Sequence, residues 1–250
     1  MRIVWQIDPD DIARVKGFYE EHSDNAFVKT RITTNLRTEK PPISKGDFWD
    51  RMVGCLLTTQ QRSGPGSSVT KFLLTRPSPL EYKTCVEQDN LGEFARKVLS
   101  EFGGLLYYNN ISKFLSANLP FLENGGWETT FQHLDEIRSN SSPETERLAA
   151  EFIDRHFKGF GPKQSRNLLQ GLGISRFEIP IDSRITKWLN SSGFPVKPTA
   201  NALQDRNYYN FVSDGFQELC KACDIMPCVL DAAIFSSFDE GQWTEENVVW

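Results

Sequence analysis

HFKGFGPKQSRNLLQGLG, residues 156–173, decides how the chain is read. Gly159 and Gly161 flank Phe160 between two helix-like segments, and Pro162 opens the second segment. Glycine reaches positive φ and lets a ligand approach the backbone. Proline is tolerated at a first helical position because the N–H there has no intrahelical partner. The following helix offers free N–H groups and the positive end of its dipole, a setting for an anion such as a phosphate. Lys158 and Lys163 add positive charge, and Arg166 lies one turn further on. A plain turn between helices gives the same pattern, so the hairpin alone leaves both readings open.

The flanking sequence is helical almost throughout. Asp8, Pro9 and Asp10 cap a first helix carrying Ile12, Val15, Phe18 and Tyr19. LRTEKPPISKGD (36–47) reads as a linker because Pro41 and Pro42 break helix. FWDRMVGCLLTTQQ (48–61) places Phe48, Met52, Cys55 and Leu56 on one face of a buried helix, and RSGPGSS (62–68) is a loop. Further periodic segments run through Val69–Leu73, Phe94–Phe102 and Phe131–Ile137. A helix opens at Ser142 with Pro143 and acidic residues in its first turn. RFEIPIDSRITKWL (176–189) is extended and then enters a helix at Asp182 or Ser183. YYNFVSDGFQELCKAC (208–223) and PCVLDAAIFSSF (227–238) close the series. MRIVWQI (1–7) is the single good strand candidate, so the expected fold class is all-α.

The 250 residues suffice for one large domain or two packed lobes. Hydrophobic and charged fractions of 39% and 24% fit an ordinary globular chain, and no apolar run is long enough to cross a bilayer. Five cysteines without an export signal read as reduced thiols in a cytoplasmic protein. The net charge of −5 argues against indiscriminate nucleic-acid binding, although local basic patches still reach phosphate.

HFKGFGPKQSRNLLQGLG followed by EIPIDSRITKWL (178–189) resembles the helix–hairpin–helix DNA glycosylase superfamily, in which a Gly-x-Gly hairpin precedes a short apolar stretch and an essential aspartate. Lys163 stands where members with lyase activity carry a covalent lysine, and Asp182, nineteen residues later, where the family's aspartate falls. The GPK form looks most like the 8-oxoguanine glycosylase/AP lyase branch, especially its compact prokaryotic types. FWDRMVGCLLTTQQ resembles the family's opening helix and ELCKACDIMPCVLDAAIFSSF (218–238) its closing helices. The resemblance leaves the first 45 residues unexplained.

It implies a two-lobed fold with the active site in the interlobe cleft, one lobe spanning 47–173 and the other joining 1–46 to 174–250. It implies a monomeric DNA repair enzyme that excises an 8-oxoguanine-like base and then cleaves the strand through a lysine Schiff base. The partner is double-stranded DNA with a damaged base or abasic site, with no cofactor and no metal. Lys163 and Asp182 would be catalytic. Lys158, Gly159, Phe160, Gly161, Gln60 and Gln61 would touch DNA, with Gln60 filling the gap left by the extruded base. Phe235, Phe238 and Trp243 would wall the base pocket. The glutamines equally suit a solvated helix end, and the aromatics a packed core.

The chemistry stands beside the resemblance. An amine attacks a sugar C1′ only when neutral, which burial and neighbouring cations favour. A carboxylate stabilises positive charge developing on the sugar. A base must leave the stack before any of this happens.

The pattern departs from relatives in FGGLLYYNN (102–110). Gly104 and Leu105 occupy positions where a wedging aromatic and an arginine are usual, and Tyr107 or Tyr108 would have to substitute from a shifted register. Cys220, Cys223 and Cys228 are one thiol short of a four-cysteine cluster. His22, His133 and His156 are scattered, with His156 just before the hairpin. Two other readings stay open: a non-catalytic DNA-binding module, and a helical interaction protein whose hairpin is only a turn.

Overall fold

Local capping chemistry sets most helix starts in the computed structural model, which describes residues 4–239 and 243–248. Helix α1 (Pro9–His22) begins at a capping box between Asp8 and Asp11. Helix α2 (Ala26–Asn35) starts where the Asn25 side chain accepts the Phe27 N–H at 2.9 Å. The sequence reading passes over α2, because Lys29, Thr30, Thr33 and Thr34 blur its apolar periodicity. Its Phe27 and Val28 nevertheless bury against a helix near the far end of the chain.

Among the described residues no strand forms. The expected strand at the N-terminus is coil over Val4–Ile7, and its first three residues lie outside the described ones. Trp5 accounts for the apolar character there. Its ring packs on Phe194 and Phe211 at 5.3 and 4.9 Å and fills the space above Gly215.

Helix α3 (Lys45–Leu57), opened by a Ser44–Asp47 capping box, buries Phe48, Trp49, Met52, Cys55 and Leu56. Around it stand α4 (Ser68–Leu74), α5 (Tyr82–Val86), α6 (Leu91–Phe102), α7 (Tyr108–Phe121), α8 (Trp127–Ser139), α9 (Pro143–His156) and α10 (Pro162–Gly171). The Trp49 indole donates to the Leu80 carbonyl at 2.9 Å, so a large aromatic is buried without an orphaned donor. As expected, Ser142 caps α9, here reciprocally with Thr145. One apolar cluster runs from Phe48 to Ile174 across these helices.

Past Ile174 the chain is extended, then forms α11 (Ser183–Ser191), α12 (Arg206–Cys223) and α13 (Pro227–Ser237). Helix α13 is apolar nearly all round and buried, packed on α2 and α11. It contributes to two further clusters, one with α1, α11 and α12, the other with α2 and Trp243.

Polar side chains join these cores. Glu146 of α9, fully buried, accepts the N–H groups of Arg176, Phe177 and Glu178 at 2.8–2.9 Å. Lys40 donates to the carbonyls of Asn35 and Gly173, closing the ends of α2 and α10 together. No helix of the described residues is long and apolar enough to cross a membrane.

Candidate active site

The hairpin is built by two glycines with different reasons to be glycine. Asn118 of α7, itself buried, holds the Lys158 backbone from both sides, accepting its N–H at 2.7 Å and donating to its carbonyl at 3.0 Å. Gly159 then takes φ +83°, and a Cβ there would sit 2.5–2.6 Å from Phe114 and Leu56. Conformation and space both demand glycine at 159. Gly161 is extended (φ −134°), and a Cβ placed on it would meet nothing within 4 Å. Neither strain nor packing accounts for that residue; its bare face lines a cavity of about 1000 Å³.

Pro162 opens α10 and Lys163 follows in its first turn, half-buried. Gln164 anchors this turn to the end of α3, donating to the Cys55 carbonyl at 2.8 Å and the Thr59 hydroxyl at 2.7 Å. Nearby, the Tyr209 hydroxyl holds the extended segment on both sides. It accepts the Ile181 N–H at 2.6 Å and donates to the Ile179 carbonyl at 2.9 Å. That segment delivers Asp182 as the N-cap of α11. One carboxylate oxygen accepts the N–H groups of Arg184 and Ile185 at 2.8 and 3.0 Å, and the other lies 3.9 Å from the Arg184 guanidinium. A carboxylate is held in a fixed orientation there by the helix terminus.

Lys163 and Asp182 line one cavity of about 1000 Å³, with Gln60, Gln61, Gly161 and Phe235. Gln60 is exposed at φ +55° at the tip beyond α3. The Gln61 amide turns inward, accepting the Leu106 N–H at 2.9 Å and donating to the Leu57 carbonyl at 2.6 Å. Arg31, Arg62, Lys163, Arg184 and Lys187 against Asp182 and Asp231 make the lining net positive, opposite to the chain as a whole. A cavity of this sign attracts an anionic ligand.

No protein-family model matches the sequence, and no curated protein does. Three solved structures resemble it over nearly its whole length. The 8-oxoguanine DNA glycosylase of Methanocaldococcus jannaschii superimposes with a TM-score of 0.66 at 14% identity, covering 94% of this chain and 98% of its own. The 8-oxoguanine DNA glycosylase of Thermotoga maritima gives 0.67 at 15%, covering 93% and 98%. The Methanocaldococcus jannaschii 8-oxoguanine glycosylase/lyase in complex with a 15-mer DNA containing 8-oxoguanine gives 0.65 at 15%, covering 93% and 100%. This chain has the helix–hairpin–helix DNA glycosylase fold.

Within that glycosylase fold the remaining expected residues divide. Phe160 is buried, its ring 6.1 Å from Phe157, so only its backbone is available to a ligand. Lys158 is exposed beside the hairpin, outside the cavity lining. Phe238 and Trp243 are not part of the lining; Phe238 lies under Lys187 at 5.2 Å, and buried Trp243 packs on Phe27 and Phe235. Tyr107 is exposed at φ +57°, whereas Tyr108 packs on the large cluster. Arg166 corrects the expectation of a phosphate-facing charge. It is fully buried, bonded to Glu178 at 2.5 Å and Asn210 at 2.7 Å. Its guanidinium lies 4.4 Å above the Tyr209 ring. The three cysteines are buried, and burial pushes the Cys228 thiol up to about 12.

Sequence reasoning missed Phe27, Arg31, Gln170, Arg184 and Asp231. Only Asp231 carried a signal, as the lone carboxylate in PCVLDAAIF. Burial pushes that carboxyl up to about 7; Arg31 opposes the shift and Asp182 adds to it.

Proposed function

We propose that the chain is a DNA repair glycosylase with AP lyase activity, acting as a monomer on double-stranded DNA and excising an oxidised, 8-oxoguanine-like base. The observation that carries the reading is the meeting of two helix starts on one basic cavity: Lys163 in the first turn of α10 and Asp182 capping α11. The resemblance in fold to 8-oxoguanine glycosylases, one of them in complex with DNA, supports the substrate class. Separate apolar clusters before and after about residue 174 support two lobes, 47–173 and 1–46 plus 174–250, with the cavity between them.

In this mechanism Gly161 and the free N–H groups of α10 take a backbone phosphate. The damaged base swings into the cavity and Gln60 fills the gap. Leu106 and Tyr107, exposed on a loop that Gln61 ties to α3, press on the helix from the same side. The neutral Lys163 amine attacks C1′. The glycosidic C1′–N bond breaks, its electron pair leaves with the base, and the base takes up a proton. Asp182 stabilises positive charge on the sugar as the bond opens. Ring opening leaves a protonated imine between C1′ and Lys163. Loss of a C2′ proton then expels the 3′ phosphate, and water releases the enzyme.

Borohydride reduces such an imine to a permanent adduct. Wild type incubated with 8-oxoguanine or abasic duplex and borohydride is expected to give a protein–DNA adduct, and Lys163→Gln none. Undiminished trapping by Lys163→Gln removes Lys163 as nucleophile. Tight binding to abasic duplex with neither excision nor nicking leaves a DNA-binding module.

A further inference from the structure

The floor of the cavity carries polar groups for which the hairpin, Lys163 and Asp182 have no use. Arg31 of α2 is 5% exposed and lines the cavity. One guanidinium nitrogen donates to the Gln170 carbonyl at 3.1 Å and lies 3.5 Å from the Asn35 amide oxygen. The Arg31 Cζ lies 5.4 Å from the centre of the Phe27 ring. The Nε–H has no hydrogen-bond partner. Gln170, 1% exposed on the same lining, leaves its Nε2 without a partner, although its amide lies near enough to Asp231 to favour the carboxylate. Asp231, 4% exposed on α13, is the carboxyl that acts electrostatically on Arg31. Phe27 and Phe235 stack at 5.0 Å and form the neighbouring wall.

Buried donors without acceptors are rare and costly in folded proteins. The Arg31 Nε–H on this cavity, next to the Gln170 amide and the Asp231 carboxyl and beside an aromatic wall, suits a planar ligand with a carbonyl oxygen and an N–H on one edge. A guanidinium suits such an edge because its plane is rigid, and the bond to Gln170 fixes where Nε–H points.

We infer that Arg31, supported by Gln170 and Asp231, determines specificity by reading the edge of an extruded nucleobase that carries a carbonyl oxygen beside an N–H; the inference rests on the glycosylase reading above. Guanine-type and uracil-type bases present that edge. Adenine-type bases present an exocyclic amine beside a ring acceptor, which sets donor against donor at Arg31 and leaves both unpaired. Sites built on buried hydrogen bonds reject the wrong pattern more strongly than sites built on shape.

Single-turnover base release tests this on duplexes carrying 8-oxoguanine, 5-hydroxyuracil, mispaired adenine or 3-methyladenine. Affinity for a tetrahydrofuran duplex, which has no base to read, is measured alongside. Wild type is expected to release a carbonyl-edged base and to leave both adenine-type bases. Arg31→Lys keeps the positive charge but loses the Nε–H in its plane. It should lower release roughly ten- to a hundredfold, the range for one charged hydrogen bond, with tetrahydrofuran affinity moved less than threefold. Gln170→Met removes only the side-chain amide and should lower the same ratio; if Arg31→Lys does not fold, this variant decides. Equal release of adenine-type bases overturns the inference. So does a parallel fall of release and affinity, which assigns Arg31 a structural role, or no change in either. Release of no base by wild type overturns the glycosylase reading and takes this inference with it.

Discussion

At Asp182 a single carboxylate oxygen accepts two N–H groups of α11, while its neighbour faces Arg184 at the cavity. Capping and the proposed catalytic role can therefore be separated by substitution. Asparagine caps as well as aspartate but carries no charge, so Asp182→Asn should melt within a few degrees of wild type. It should lose roughly 10²–10³ in base release, the scale for one preorganised electrostatic group. Asp182→Ala should lose the same activity and about 1 kcal/mol of stability in addition. Differential scanning calorimetry with single-turnover kinetics checks both. At Asp231 the folded carboxyl titrates near 7, above its ordinary 3.8. The folded state thus holds a proton that the unfolded chain has released between those values, and this residue's contribution to stability falls as pH rises through that window. Denaturant unfolding should show Asp231→Asn gaining on wild type from pH 4 to 7, by at most on the order of 4 kcal/mol at about 1.4 kcal/mol per pH unit.

On the scale of elements, the hairpin separates folding from the proposed DNA contact within three residues. Gly159→Ala meets both positive φ and the Phe114 and Leu56 side chains, and should cost more than about 1–3 kcal/mol, the range for strain and overpacking. Gly161→Ala meets nothing and has an ordinary extended backbone, so its melting temperature should stay close to wild type. Its methyl group projects where a phosphate would approach the α10 N-terminus, and duplex affinity should fall about tenfold or more if that contact is one charge-assisted hydrogen bond. Calorimetry and a fluorescence-anisotropy titration of the two variants separate the effects. A Gly161→Ala protein with unchanged duplex affinity removes the hairpin from the interface.

The whole molecule is joined at Glu178. Its buried carboxylate pairs with Arg166 of α10 at 2.5 Å and Arg147 of α9 at 2.7 Å, and accepts from Gln217 of α12 at 3.0 Å. Burial alone would raise its pKa, but the two guanidiniums outweigh burial and hold it below the ordinary value. Its contribution is present above the unfolded value near 4.5 and is lost as acid protonates it. Glu178→Gln leaves the buried Arg166 guanidinium without its counter-charge, while Arg147 keeps Asp214, and should destabilise by roughly 3–5 kcal/mol. Because Arg166 shares a helix with Lys163, and Glu178 shares a segment with Asp182, base release should fall even at temperatures where the variant remains folded. Single-turnover kinetics well below the melting transition, beside a melting curve, checks this.

Signals confined to a few neighbouring residues were legible without the fold. The Asp8 and Ser142 caps, the prolines that open α1, α9 and α10, and the Gly159 turn each follow from interactions within one helical turn. The hairpin and Asp182 were likewise recognisable, since their spacing along the chain is part of the pattern. Helix α2 was not, because its burial depends on α13 at the other end of the sequence. Arg166 looked like a surface cation because nothing local announces Glu178, Asn210 and Tyr209 as its partners. The sequence by itself thus determined the all-helical class, several helix starts and the spacing between a hairpin lysine and a downstream aspartate. Only the tertiary structure decided which side chains share the cavity, joining Arg31, Gln170 and Asp231 from α2, α10 and α13 and withdrawing Arg166 into the core. The reason is physical: caps and turns are short-range interactions, whereas burial and charge pairing depend on neighbours that only folding supplies.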